Sequence, residues 1–559
     1  MSTIQSFLSA PSYGYDFVVA VTQASINTTM KEYLSVANQP VVTMYYNQDE
    51  NGNPVVVDYA TLMTQTNGTD PFSVQNWDAS EPSTAGVTNI GQSNFWYGFK
   101  AQIGLPPGYA PQNIPDLVSL NPGTGAVSFT LLCSSFTVVE ANFGRHGLTS
   151  FVNQSQQPGA AWLFTSTVPV NTLINNTKLP ADVQQQLNNL GPNAFSVQQL
   201  MFDLDNAALE TVPTLSGVAA GSAVATALNE AFVGAYCSAL KGSALPVLGY
   251  TIVPNNPAAN TSSLSVSKMN FEISPYVPAN AGPEISDLNT LNYLCATGND
   301  ALPPAVPFTW NWVEQSEEDC YDGAIAINRK ALANYFCQHL MNIAEVNCYV
   351  PSVHVALSGF LDTQCNWTWN LSRGQTPSIS LPATGSTILD ISYQSSKAYD
   401  QAGLNGDMGS AGLSSNYSMT VSATGNTIVI SQTLVVWISL SSLSDNTEGN
   451  VVNRTITDTY TVTINENGGL MLSAPVSTVT NSPDDVSVSG FTSFFNGLND
   501  LSATISNYAN DVAATQLTDV PVSAIQNFVF PGGKTFTYAS VGFSENQDLV
   551  AHITYTQPQ

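Results

Sequence analysis

The amino-acid sequence predicts an α+β protein dominated by long, curved antiparallel β-strands, with a small number of long amphipathic helices. Only 9% of its 559 residues are charged, whereas soluble domains usually carry about 25%. Polarity comes instead from Ser, Thr, Asn and Gln, which suit turns and the solvent-facing side of strands better than helix interiors. Hydrophobic residues make up 43% of the chain and aromatic residues 10%. The composition is therefore that of a globular chain with a large core.

The apolar spacing of an amphipathic helix occurs in four stretches, residues 16–35, 222–241, 327–343 and 491–512. In the first stretch Asp16 precedes the apolar run, where its carboxylate can accept hydrogen bonds from the first turn. The apolar stripe that follows comprises Val19, Ile26, Met30, Tyr33 and Leu34. Many residues of this stretch are β-branched and form helices poorly, so packing against a partner surface must supply most of its stability.

The fourth stretch has the most regular spacing, with apolar residues at steps of three and four: Phe491, Phe494, Leu498, Leu501, Ile505, Tyr508 and Val512. The second stretch is stopped by Gly242. Two tryptophan pairs, Trp310 with Trp312 and Trp367 with Trp369, have the spacing of neighbours on one face of a strand. Aromatic pairs of this kind usually fill a core, and we expect these to do so.

Strand patterns connect and follow the helices. Residues 41–46 and 55–60 flank the dipeptide Asn51-Gly52, which predicts a hairpin. Residues 126–143 form a long β run, and residues 385–480 read as a meander of long strands. Within that meander the alternation of apolar residues with threonines is nearly strict, and one face carries Ile456, Tyr460, Val462 and Ile464. The meander should therefore have one buried face and one solvated face.

The charge balance excludes several classes of partner. Forty acidic and twelve basic residues give a formal charge of -28, and the basic residues are scattered apart from Arg329 and Lys330. No basic surface is available to follow a nucleic-acid backbone or an anionic lipid layer, so we expect no nucleic-acid partner. The longest low-polarity stretch, 212–240, is interrupted by polar residues and indicates a buried helix, so we expect no transmembrane segment. The N-terminal sequence lacks the features of a secretory signal. We expect synthesis in the cytoplasm, with any release by a non-classical route.

Motifs for metals and nucleotides are absent or broken. Residues 47–58 have the ligand spacing of a calcium loop, but the flanks read as strands and Asp58 stands where a bidentate Glu is expected. Residues 532–535 match only the end of a phosphate-binding loop and suit a turn. A zinc site could be drawn only from Cys337, His339, Cys348 and His354. The first two of these lie two residues apart on a helix and face different ways. We expect no metal and no cofactor.

One acidic run could bind a cation or supply a general acid and base: Glu314, Glu317, Glu318, Asp319 and Asp322. Acidic residues just before a helix also complement its dipole and stay solvated, and we expect this structural role. The seven cysteines have no C-x-x-C spacing, which indicates free thiols. The sequence therefore nominates no catalytic residue.

Four short segments resemble a known family. Residues 13–27, YGYDFVVAVTQASIN, resemble the opening of the accessory proteins encoded in clostridial neurotoxin and insecticidal toxin gene clusters, which belong to the tubular lipid-binding (TULIP) superfamily. That family begins its first helix with Gly-Trp-Asp, and Tyr15 replaces the Trp here. Residues 246–250, 310–329 and 542–555 are similar to further family landmarks. The landmarks extend over most of the chain, and none is a catalytic signature.

The resemblance implies a tubular fold, in which curved antiparallel sheet wraps a long helix around an apolar interior that accepts lipid-like molecules. We therefore expect non-enzymatic binding of a lipid or other hydrophobic ligand, a role as an accessory component of a protein toxin complex, or both. Two other hypotheses stay open. One is an enzyme that acts on an apolar small molecule in the same cavity, and the other is a purely structural partner with an exposed apolar patch.

If a cavity exists, the apolar faces of the first and fourth helices should line it. The predicted ligand-binding residues are Ile26, Met30, Tyr33, Phe494, Leu498 and Ile505. We expect residues 1–559 to form one TULIP-like protein. The recurrence of helices followed by long strands indicates two interleaved modules, with approximate halves at 1–300 and 301–559.

Overall fold

The computed structural model describes most of the chain, and all structural statements concern these residues. The described ranges are 2–36, 41–109, 113–159, 163–169, 195–201, 247–254, 266–278, 285–297, 300–360, 363–442, 446–464, 470–484, 486, 528–530 and 534–555. Two predicted helices, 222–241 and 491–512, lie outside them. In the described ranges every strand pairing is antiparallel and β-structure dominates, with a sheet curled into a half-barrel. The predicted β-dominated class is therefore confirmed, whereas a sheet wrapped around long helices stays a prediction.

The described strands are numbered in chain order. The first group is β1 (Phe17–Thr22), β2 (Val42–Gln48), β3 (Pro54–Val57), β4 (Trp77–Asp78), β5 (Phe95–Ile103), β6 (Val118–Asn121), β7 (Ala126–Gly144), β8 (Gly147–Ser155) and β9 (Leu163–Pro169). The second is β10 (Phe195–Met201), β11 (Val247–Pro254), β12 (Val266–Ser274), β13 (Thr290–Thr297), β14 (Gly323–Ile327), β15 (Val350–Ser358) and β16 (Gln364–Ser372). The third is β17 (Ser378–Ser380), β18 (Thr387–Gln394), β19 (Ala398–Leu404), β20 (Asp407–Thr424), β21 (Thr427–Ser442), β22 (Asn446–Ile464), β23 (Leu470–Leu472), β24 (Val476–Asn481), β25 (Phe528–Phe530), β26 (Lys534–Phe543) and β27 (Leu549–Tyr555). The described helices are α1 (Gln23–Val36), α2 (Tyr59–Gln65), α3 (Ala85–Gly91) and α4 (Arg329–Val346).

Three large sheets organise these strands. The central sheet has the order β10-β11-β25-β26-β27-β14-β1-β13-β12. The N-terminal sheet has the order β3-β2-β5-β7-β8-β4, with β6 and β9 also paired to β7. The C-terminal sheet has the order β17-β18-β20-β21-β22-β23, with β19 on β20 and β24 on β22. A separate hairpin, β15-β16, packs near β19 and β20.

The first predicted helix begins later than expected. Residues 17–22 form β1, in the middle of the central sheet, and the helix starts only at Gln23. All six side chains of β1 are buried because both faces of the strand are covered. Such a strand reads as a continuous apolar run without a period of two, so its pattern merged with that of the helix. Asp16 does not cap a helix: its carboxylate accepts hydrogen bonds from the backbone N–H and hydroxyl of Thr297, at 2.7 and 2.9 Å.

The third predicted helix is present as α4, close to the expected 327–343. Asn328 caps it, with its side-chain oxygen accepting a hydrogen bond from the Lys330 N–H at 2.8 Å. Ile325, two residues before the predicted start of the helix, lies in β14. Gly323 at the start of β14 approaches β1 so closely that an added Cβ would collide with the carbonyl oxygen of Ala20. Only glycine fits at that position.

The strand predictions are largely confirmed. Strands β2 and β3 form the expected hairpin, with Gly52 at a φ of +84° in its turn. The meander is formed by β18 and β20 to β22, whose buried and less buried positions alternate. On β22 the predicted face with Ile456, Tyr460 and Val462 is buried, and Asp458 on the same face is only 7% exposed. The 2.0-residue period therefore located this sheet and its buried face.

Candidate functional site

The interior face of the central sheet meets the other two sheets in one continuous apolar cluster. It includes Val19 from the central sheet, Phe136 from the N-terminal sheet and Ile430 from the C-terminal sheet, and Tyr335 of α4 also belongs to it. Ile26 of α1 lies in this cluster and is only 2% exposed. The described part of the molecule therefore has an apolar interior shared by all three sheets and by two helices.

Helix α1 is held against β6 by buried polar side chains. The carbonyl oxygen of the Asn27 side chain accepts hydrogen bonds from the backbone N–H groups of Leu117 and Val118, both at 2.8 Å, and its amide donates to the Val118 carbonyl. Gln23, one turn earlier, accepts a hydrogen bond from the Leu120 N–H at 2.7 Å. These bonds fix which side of α1 faces β6, and Ile26 enters the apolar interior beside them.

The six predicted ligand-binding residues are described to different extents. Ile26 is buried in the apolar interior. Met30 and Tyr33 lie in α1, four and seven residues further along, and their side chains are outside the description. The remaining three lie outside the described residues, namely Phe494, Leu498 and Ile505. The prediction that the six line one cavity therefore stays a prediction.

The opposite face of the central sheet is covered by the segment 302–313, which is rich in aromatic residues. Trp310 and Trp312 are 3% and 1% exposed, and their rings meet edge to face with centroids 5.5 Å apart. Tyr13 stacks on Phe308 at 5.0 Å, and the hydroxyl of Tyr15 donates to the Pro304 carbonyl at 2.6 Å. The predicted core role of the first tryptophan pair is confirmed, although the segment that carries the pair is not a strand.

Three of the four segments that carry the family resemblance meet on this face. Asp548 is fully buried, and its carboxylate accepts hydrogen bonds from the Ser6 hydroxyl, the Leu8 N–H and the Arg329 N–H, at 2.8, 2.7 and 3.1 Å. The Asn328 side chain donates to the Tyr15 carbonyl at 2.9 Å. Burial raises the pKa of Asp548 to about 6, although the hydrogen bonds oppose the shift. The landmark segments therefore hold distant parts of the chain together by buried hydrogen bonds, an arrangement that we call the clasp.

A buried acid-amide pair lies on the same face, between β12 and β13. Glu272 and Asn292 are directly opposite in the strand register, and the Asn292 amide donates to Glu272 Oε2 at 2.7 Å, as does the Ser274 hydroxyl. Among the described residues, Glu272 Oε1 and Asn292 Oδ1 have no hydrogen-bond partner. Burial raises the pKa of Glu272 to about 7, against the effect of the two hydrogen bonds. A proton on Oε1 would let the acid donate to the amide oxygen, which would satisfy both buried atoms.

The remaining candidate sites of the sequence have structural partners. Glu314 and Glu317 form a capping box around a short 3-10 helix, Gln315–Glu317. The His354 ring and the Asp400 carboxylate are 2.8 Å apart on the surface. In the ranges described here, His, Cys, Asp and Glu side chains form no group of three or more placed to hold a metal ion. The calcium-like loop is an ordinary turn, in which Asp49 accepts hydrogen bonds from the Asn51 and Asn53 N–H groups.

Comparisons with known proteins identify no family. No family model matches the chain, and no curated protein matches it. Among solved structures, the chain is similar to the crystal structure of a lipopolysaccharide binding protein, at 11% sequence identity and a TM-score of 0.26, with 97% of this chain and 100% of that chain covered. A score this low does not establish a shared fold, so the function is argued from this chain's own residues.

In the described part of the chain, no helix combines the length and the apolar character needed to cross a bilayer.

Proposed function

We propose that this protein binds a lipid or other hydrophobic small molecule without transforming it, in the apolar interior beside α1. The observation that carries the proposal is the placement of α1. Gln23 and Asn27 hold one side of the helix on β6 by buried hydrogen bonds, and Ile26 enters an interior that is apolar across all three sheets. Met30 and Tyr33 continue the stripe of Ile26 at helical spacing. Apolar walls with a few fixed polar groups are the usual composition of a ligand site.

Four buried titratable groups, Glu272, Asp548, Cys133 and Cys295, favour binding over catalysis. Glu272 is engaged with Asn292 and Ser274, and Asp548 is engaged with backbone N–H groups. Burial raises the pKa of the Cys133 and Cys295 thiols, which is the opposite of what a nucleophilic cysteine needs. These four groups stabilise packing, and none of the four combines a nucleophile with an adjacent base.

The family resemblance adds two finer proposals. It supports Phe494, Leu498 and Ile505 as a second wall of the ligand site, and it supports an accessory role in a protein toxin complex. The proposed division near residue 300 has separate support. Strands β1 and β14 are antiparallel neighbours, and each runs directly into a helix, α1 and α4. A pair of equivalent strand-helix units at the centre of one sheet is what two interleaved modules would give.

The proposal is tested with the purified protein in two steps. Organic extraction followed by mass spectrometry should recover a bound apolar molecule, and the extracted protein should bind a fluorescent fatty acid saturably. Met30→Ala should weaken probe binding severalfold. Its unfolding free energy should fall by less than the roughly 2–5 kcal/mol that a large-to-small change costs in a close-packed core. Met408→Ala is the matched control, because Met408 is 49% exposed on β20. Failure of the unmutated protein to bind the probe saturably would refute the proposal.

A further inference from the structure

A groove opens on the face of the N-terminal sheet that points away from the apolar interior. Its volume is about 460 Å³, and its lining includes Tyr45, Val57, Asp58, Tyr59 and Asp70. The size is within the range of sites for small organic molecules, roughly 300–1,000 Å³. Tyr45 belongs to a separate small core on this face, whereas its neighbour on β2 points into the apolar interior. The groove therefore opens on the Tyr45 side of β2, although Met44 of its lining also packs against the apolar interior.

Two tyrosine rings form the aromatic part of the groove. The rings of Tyr45 and Tyr59 have centroids 5.7 Å apart at an angle of 31°, and Phe72 meets Tyr45 edge to face at 5.6 Å. Tyr45 is 6% exposed and fixed in the small core, whereas Tyr59 is 51% exposed. A group bound in the groove can therefore contact both aromatic rings, the fixed one and the exposed one.

The Tyr45 hydroxyl has no hydrogen-bond partner among the described residues, although the side chain is more than nine-tenths buried. Burial raises the pKa of this phenol, and the nearby Asp70 carboxylate and Tyr59 raise it further. The hydroxyl therefore stays protonated in a lining that also contains Asp70. A donor group placed between the phenol oxygen and the Asp70 carboxylate could donate a hydrogen bond to each of them.

Two carboxylates are fixed at the rim by local hydrogen bonds. Asp58 accepts from the Thr61 N–H and the Thr61 hydroxyl, at 2.9 and 2.6 Å, and these bonds lower its pKa. Asp70 accepts from the Phe72 N–H at 3.0 Å. Each carboxylate has lone pairs left for a further donor. The two negatively charged carboxylates at the rim are therefore already held in position before a ligand binds.

We propose that this groove binds a protonated amine, presented by a small alkylammonium ion or by a lysine side chain. An ammonium group carries a positive charge and donates up to three hydrogen bonds, which suits a lining that contains Asp58, Asp70 and the Tyr45 hydroxyl. Its alkyl part would lie against Tyr59 and Val57, where the aromatic face also attracts positive charge. The net charge of -28 favours the approach of cations. A neutral sugar or alcohol would leave the carboxylate charge uncompensated.

The protein's own Lys100 carries an ammonium group that could compete with an added amine for the groove. Lys100 is exposed and pairs with Thr43 in the register of β2 and β5, and Thr43 lines the groove. The proposal therefore requires that an added amine binds the unmutated protein, with Lys100 in place. Binding that occurs only in Lys100→Gln would show that the groove is closed internally, and it would overturn the proposal.

The experiment measures binding of butylammonium, of Nα-acetyl-lysine amide and of neutral butanol by ligand-observed NMR titration. We expect saturable binding of at least one amine and a dissociation constant for butanol at least about tenfold weaker, since hydrogen bonds to charged groups contribute enough for such a factor. The two amines distinguish a free small molecule from a lysine side chain. Asp70→Asn should weaken amine binding about tenfold, because Asn still accepts the hydrogen bond from Phe72 but carries no charge.

Asp78→Asn is the matched control. Asp78 is exposed, accepts a hydrogen bond from the Ser80 N–H in the same way, and lies outside the groove lining. Its substitution should leave amine binding unchanged. The proposal is overturned if neither amine binds saturably, if butanol binds as well as butylammonium, or if Asp70→Asn and Asp78→Asn behave alike.

Discussion

The buried acid-amide pair predicts that stability depends on pH through Glu272. The perturbation is Glu272→Gln, which replaces the acid by a neutral group of nearly the same shape. The glutamine carbonyl can accept from Asn292 and Ser274 as Oε2 does. Its amide can donate to Asn292 Oδ1, as a protonated Oε1 would. The substitution therefore keeps the pairing of the protonated acid and removes its titration.

The size and sign of the effect follow from the pKa of Glu272. Burial raises this pKa from 4.5 to about 7, so the folded state keeps a proton that the unfolded state has lost. The contribution of Glu272 to stability is fully present below pH 4.5 and is lost as the pH rises through 7. The shift corresponds to about 3 kcal/mol. Glu272→Gln should match the unmutated protein near pH 4.5 and should be more stable by about 3 kcal/mol above pH 8.

Urea unfolding at a series of pH values, followed by tryptophan fluorescence, measures this difference. Trp310 and Trp312 cover the same sheet face, so the signal reports on the relevant region. The difference between the two proteins cancels the titration of other groups, including Asp548. Glu318→Gln, at an exposed position, is the matched control for the loss of one carboxylate. A Glu272→Gln variant that is destabilised equally at every pH would refute the reasoning.

Two further predictions concern the clasp and the central sheet. Asp548→Asn places a side-chain amide against backbone N–H donors. It should lower the unfolding free energy by about 2–4 kcal/mol at pH 8, measured by urea unfolding. The control Asp319→Asn, at an exposed position, should change the unfolding free energy by less than about 0.5 kcal/mol. Gly323→Ala forces a Cβ against the Ala20 carbonyl and should cost about 3 kcal/mol or prevent folding. Gly123→Ala, where a Cβ has open space, should leave the melting temperature nearly unchanged. Equal melting temperatures for the two alanine variants would contradict the close approach.

The features that could be predicted from the sequence depend on local periodicity. The hairpin around Gly52 and the alternating face of Tyr460 follow from turn chemistry and from the two-residue period of a strand. The start of α1 could not be located in this way, because β1 is covered on both faces and its side chains are apolar on each. The covering segment with Trp310 is nearly 300 residues away in the chain, so nothing local marks the second face.

The candidate sites could be predicted from the sequence less well than the strands. Ile26 was correctly placed on a buried stripe, because helical spacing alone selects it. The groove lined by Tyr45 and Asp70 was missed, since Tyr45 reads as part of an apolar strand and Asp70 as part of a loop. Glu272 was also missed, because its partner Asn292 is identified only by the register of β12 and β13. Both sites are created by pairing between strands and loops that have no sequence motif of their own.

The position of β1 in the central sheet has a consequence for biosynthesis. Its neighbours are β13 and β14, and the next strand beyond β14 is β27. About 270 residues separate the end of β1 from the start of β13, which takes roughly 15 to 50 seconds of translation at about 5–20 residues per second. During that interval a six-residue apolar strand has neither of its partners. The nascent chain should therefore need a chaperone that holds this segment, and slowed elongation before residue 290 should increase aggregation.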